Sequence, residues 1–160
     1  GRSAGNTGCD AGDRDDTWRE MPNQPRALLA LTRLGTRQKT ERLAGAHFPA
    51  ECYFERAMRF APDDPMPHVI YASYLKNHQR MADAKQQLAQ AEQLRGEPAT
   101  FDFDYNLGLL YLDVGEPDKA AVAALDLEPH DDVQATGAVK KHLAGVLLRR
   151  VVKQLLEARP

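Results

Sequence analysis

Apolar residues recur at helical spacing along most of this chain, and no stretch shows the strict alternation of apolar and polar residues that a half-buried strand requires. Leu28, Leu31 and Leu34 mark one face of "RALLALTRLGTRQKTERLAG", a helix expected to begin near Arg26 and to stop by Gly45. "PAECYFERAMRFAP" places Phe54, Ala57 and Met58 together, and "PHVIYASYLKN" does so with Val69, Ala72 and Leu75, with Tyr71 beside them. Met81, Ala84, Leu88, Ala91 and Leu94 continue the pattern. Breakers fall at Pro62, Pro65, Gly96, Pro98, Gly115 and Pro129, so the chain predicts an all-α fold of short antiparallel helices. Residues 1–16, "GRSAGNTGCDAGDRDD", have almost no large apolar side chains and are expected to form a mobile tail before a single domain at 17–160.

The helices echo one another. Gly108 lies 36 residues after Ala72, which lies 34 after Gln38, and this register brings Ala50, Ala84 and Ala120 into equivalence. An offset of 34 also links Phe54 to Leu88 and Ala57 to Ala91. Small residues recur where two helices cross closely, with Leu107, Tyr111 and Leu88 filling the space beside them. Gly115 suits a left-handed helix end, and Pro117 suits the first position of the next helix.

On these residues the chain resembles the tetratricopeptide repeat (TPR) family. Leu107, Gly108, Tyr111, Gly115 and Ala120 carry the resemblance in a third unit near 101–129. A second unit near 65–98 fits at Ala72, Ala84, Leu88 and Ala91 but has Gln79 where glycine is usual. The first, near 31–64, fits from Gly45 through Ala50, Phe54, Ala57 and Pro62, and its first helix matches poorly. The resemblance implies a short array of about two to three helical hairpins. If Pro129 closes the third unit, "AVAALDLEP" is about three residues short, so its second helix should lose almost a turn.

A capping helix is expected near 132–158, started by Asp131 and Asp132, to cover the last apolar face. Its apolar arc is wide. Leu143, Leu147, Val151 and Leu155 form one stripe and Ala144, Leu148 and Val152 the next. Leu147, Leu148, Val151, Val152 and Leu155 are therefore candidates for self-association as a homodimer, and the amino-terminal helix folding back is the other way to cover them. Residues 133–160 carry six Lys or Arg and one Glu. A solvated basic face accounts for that excess, and no interleaved aromatic residue supports a nucleic acid.

Composition narrows the partners. With 42% hydrophobic and 28% charged residues and a net charge of −2, the chain reads as an ordinary folded one without the basic excess of a nucleic-acid binder. No apolar run reaches the roughly 20 residues that cross a bilayer, which argues against a membrane. Only Cys9 and Cys52 occur, and no N-x-S/T acceptor does, which favours a cytoplasmic setting; Thr7-Gly8-Cys9 loosely matches the end of a bacterial lipoprotein signal, the competing reading. Cys52 reads as a small buried residue. The G-x-S-x-G pattern of "GRSAG" belongs to a strand-to-helix elbow, and no strand is expected ahead of Ser3 to present it. His47, His68, His78, His130 and His142 include no i,i+4 pair, and His130 with Asp131 and Asp132 reads as a solvated turn. No catalytic residue, metal site or cofactor is assigned, and a metal-dependent enzyme stays a remote third option.

What the resemblance implies is a protein-protein interaction module whose first helices line a concave groove for a peptide segment. Matched position by position, the groove would present Val69, Ser73, Lys76 and Asn77 from the second unit. The third would add Tyr105, Asn106, Leu109, Leu112 and Asp113, with the Asn106 amide suited to a peptide backbone. The carboxylate-gripping cluster of some family members is not matched, because Val69 and Ser73 occupy positions where it wants Lys and Asn.

Overall fold

The computed structural model describes residues 22–38, 48–96, 100–127 and 136–158. Every regular element among them is an α-helix: α1 (Pro25–Gln38), α2 (Ala50–Phe60), α3 (Met66–Asn77), α4 (Met81–Gln93), α5 (Phe101–Asp113), α6 (Pro117–Leu125) and α7 (Gly137–Glu157). The expected tail, Trp18, Gly45, His47, Pro98 and the segment holding Pro129 to Asp132 lie outside the described residues.

Prolines and short polar side chains set the helix starts. Pro25 opens α1 and Pro117 opens α6, positions whose N–H an α-helix leaves unused. Asp64 Oδ1 accepts from the Met66 N–H at 2.9 Å ahead of α3. Thr100 Oγ1 caps α5 by accepting from the Phe103 N–H at 3.3 Å, and Thr136 Oγ1 does the same for Val139 at 3.4 Å. The described last helix thus starts at Gly137 behind Thr136, later than the acidic pair at 131–132 suggests.

Two helices end alike. After α3, the Gln79 N–H donates to Lys76 O and the Arg80 N–H to Leu75 O; after α5, Gly115 donates to Leu112 O and Glu116 to Tyr111 O. Both are Schellman turns, with Gln79 at φ 60° and Gly115 at φ 77° in the left-handed position. The equivalence read between Gln79 and a glycine therefore exists in the backbone.

The helices form two layers. α1, α3, α5 and α7 pack side by side in succession, while α2 sits against α1 and α3, α4 against α3 and α5, and α6 against α5 and α7. The tightest neighbours are the hairpins α3–α4 and α5–α6. α6 has nine residues against thirteen in α4, the shortening expected of the third unit.

Small residues bring the layers together. Ala72, Ala84, Ala120 and Ala91 are almost wholly buried. A Cβ on Gly108 would lie 2.9 Å from Leu147 Cδ2, so the end of that α7 side chain would have to shift, and at an ordinary contact distance of 3.6 Å from Ala123 Cβ of α6. Phe54, Tyr71 and Tyr74 stack around the α2–α3 contact, with centroids 4.8 and 5.4 Å apart for Phe54 with each tyrosine.

Some expected placements change. Leu28 and Leu31 are buried, but Leu34 is exposed and Gly35 takes the inward place, because seven residues after Leu28 complete almost two turns. A Cβ on Gly35 would come 3.0 Å from the Tyr74 ring. Leu147 and Val151, proposed for self-association, are 0% and 2% exposed and seal the array against α5 and α6 instead. Leu155 is half-buried against the same core. Cys52 is buried, as expected.

Candidate functional site

The open face of the first layer carries a continuous groove across α1, α3 and α5. Its narrower part is a cavity of about 240 Å³ between α3 and α5, walled by Met66, Val69, Ile70, Leu109 and Leu110. Ser73, Lys76, Asn106 and Asp113 border it, and Leu29 closes it from α1. The wider part, about 550 Å³, lies between α1 and α3, and shares Leu29 and Ser73 with the first. Thr32, Arg33, Thr36, Arg37 and Asn77 complete it.

Most residues expected in a groove are brought together here. Ser73, Lys76, Asn106, Leu109 and Asp113 line the narrow part, and Asn77 the wide part. Val69 contributes to the wall although it is only 3% exposed. Two expectations fail. Leu112 is buried in the core, because it faces α5's partners on the opposite side. Tyr105 lines neither cavity and stacks on Phe101, ring centroids 5.8 Å apart at 9°.

The polar groups of the groove are mostly engaged with the protein itself. Lys76 Nζ lies 3.0 Å from Asp113 Oδ2, and Arg150 of α7 lies 3.3 Å from Asp113 Oδ1, so one carboxylate ties α3, α5 and α7. The Asn106 Nδ2 donates to Asp102 O in its own helix at 2.7 Å, which takes one of the donors of the amide expected to meet a peptide backbone. Asn77 Nδ2 donates to Thr36 Oγ1 at 3.1 Å, and that hydroxyl donates to Thr32 O at 2.8 Å.

The sequence pattern leaves the α1 wall unmarked. Leu29, Arg33 and Arg37 stand one turn apart, opposite the buried Leu28 and Leu31, and the signal for the wall is the pair of arginines at helical spacing on that face. The first helix of the first unit matches the repeat poorly, so matching position by position does not reach them.

A second polar cluster lies on the other layer. Asp104, 2% exposed, receives the Arg95 guanidinium at both oxygens, 2.9 and 3.1 Å, and Arg95 also reaches Asp126 at 3.2 Å. Nearby the Tyr111 hydroxyl donates to Glu92 at 2.9 Å, as Tyr71 does to Glu51 at 2.8 Å. Burial, and then the bonded carboxylate, hold both phenols protonated well above the ordinary tyrosine range. Glu116, bonded to Lys85, is held below the usual carboxylate range by that contact. These pairs join one hairpin to the next and leave their carboxylates committed. Among the described residues no group of three His, Cys, Asp or Glu side chains could hold a metal ion, and no helix is long and apolar enough to cross a membrane. Comparison with protein-family models, with curated proteins and with solved structures found no match.

Proposed function

We propose that this chain is a non-enzymatic adaptor of the tetratricopeptide kind that holds a peptide segment of a partner protein in the groove across α1, α3 and α5. The observation that carries the reading is the groove itself: an apolar floor of Val69, Ile70 and Leu109 continuous with a channel bordered by Arg33, Arg37 and Asn77, spanning three first-layer helices. The paired Schellman turns and the small residues at Ala72, Gly108, Ala84 and Ala120 support the repeat assignment. A preformed groove of this size suits micromolar capture, about −8 kcal/mol.

Panning a random-peptide phage library on the intact chain and on Ser73→Trp tests it. Ser73 borders both cavities, so the indole should block the groove where they join. Peptides enriched on the intact chain and lost on the variant, with unchanged circular dichroism, are the expected result. Failure to enrich any peptide, or equal enrichment on both proteins, refutes the adaptor reading.

A specific observation favours a second reading, self-association. Leu148, Val152 and Leu156 are 38, 53 and 62% exposed along one stripe of α7, and α1 packs on α2 and α3 at the other end of the array instead of folding over them. Light scattering across a concentration series should then show a dimer that Val152→Glu dissociates; a monomer at high concentration removes the idea.

A further inference from the structure

The groove's charge is one-sided. Of the ionisable residues that line its two cavities, Lys76 and Asp113 neutralise each other, while Arg33 and Arg37 form no ion pair or hydrogen bond among the described residues. The two arginines stand one turn apart on α1, exposed, at the spacing where like charges repel. The negative end of the α1 dipole, close to Arg37, accounts for one cation, not for the placement of both on the channel wall. The neighbouring hydroxyls donate to helix carbonyls: Thr32 to Leu28 O at 3.1 Å and Thr36 to Thr32 O. The channel therefore offers guanidinium donors with no acceptor among the described residues.

Resting on the peptide-binding reading, we propose that the occupant is an acidic peptide segment. Its carboxylates would sit on Arg33 and Arg37, whose planar forks match a carboxylate at two points, and an adjoining apolar side chain would enter the cavity floored by Val69 and Leu109. A single-stranded nucleic acid fits less well. It would need a longer run of cations and aromatic faces for its bases, whereas the chain's net charge is −2 and Tyr105 is stacked away on Phe101.

The same phage panning decides the matter through the composition of what it enriches. Groove-dependent peptides should be rich in Asp and Glu beside an apolar residue. A fluorescein-labelled copy of the most enriched one should bind Arg33→Gln/Arg37→Gln about tenfold or more weakly, and should weaken as salt rises. Glutamine removes the charges without placing acids at the helix carboxyl end, and circular dichroism checks the fold. Groove-dependent peptides that are neutral or basic, or an affinity unchanged in the double variant, overturn the proposal and leave the adaptor reading standing. A labelled oligouridine that displaces the peptide and binds more tightly overturns it in favour of nucleic acid. If no peptide is enriched, the adaptor reading fails and this inference with it.

Discussion

Replacing Gln79 with glycine should stabilise this protein, and replacing Gly115 with alanine should destabilise it by a comparable amount. Both residues hold the left-handed position of the same turn, bonded in the same way to the helix before it. A Cβ on Gly115 would meet no atom within 4 Å, so Gly115→Ala isolates the backbone cost. Gln79 is exposed, and its side chain has no hydrogen bond among the described residues to lose. Holding an L-residue in this region costs ~1–2 kcal/mol, and the smaller freedom of the unfolded chain returns ~0.4–1 kcal/mol. The difference is about 1 kcal/mol in each case, down for Gly115→Ala and up for Gln79→Gly. In a chain of this length that moves the melting temperature by about 2–4 °C.

Urea unfolding followed by circular dichroism measures both. Combining the substitutions should return stability close to the starting value, because the turns belong to different hairpins and share no partner. A Gln79→Gly protein less stable than the parent would refute the reasoning, since it would mean that the turn depends on something glutamine supplies. A neutral Gly115→Ala would do so from the other side.

Other substitutions probe the packing and the ion pairs. Arg95→Ala should cost about 3 kcal/mol by urea unfolding, because it leaves the Asp104 carboxylate buried without its two-point partner; Arg95→Lys should recover only part, lacking the fork. Alkaline titration at 295 nm should show Tyr71 and Tyr111 resisting ionisation. Their raised values contribute stability that is complete below the ordinary tyrosine pKa of about 10 and fades above it, so Tyr71→Phe/Tyr111→Phe should flatten the loss of stability from pH 10 upward. Gly108→Ala forces the end of Leu147 to move, yet in a Leu147→Ala background it should stabilise by about 1 kcal/mol through helix propensity; simple additivity in the double-mutant cycle would show that the two side chains do not compete for space.

The fold was legible where one physical rule dominated. Helical periodicity together with Pro117 and Gly115 located helices and their ends, and the recurrence of Ala72, Gly108, Ala84 and Ala120 anticipated the close crossings. It failed where direction, not spacing, decides. Leu109 and Leu112 are both apolar residues of α5, yet Leu109 borders the groove while Leu112 joins the core. Asp104 could pass for an ordinary acid in a helix's first turn, and only the fold brings Arg95 over it. Arg33 and Arg37 are not singled out by the sequence pattern, and only the fold sets α3 across from them.

The last helix shows why periodicity alone cannot assign a surface. In α7 the apolar arc is wide enough for two faces, and residues adjacent in sequence take opposite roles: Leu147 is fully buried beside Gly108 while Leu148 is 38% exposed. The sealing face follows from the architecture, because α7 occupies the place of the next first-layer helix and must cover α5 and α6. The outward face follows from nothing inside the array. Leu148, Val152 and Leu156 stay exposed along one stripe and add no contact that the first layer needs, which is why the self-association test is aimed at them. That separates the two ends of the molecule: the groove at α1, α3 and α5 is shaped by the packing of the helical hairpins, and the stripe on α7 lies apart from it.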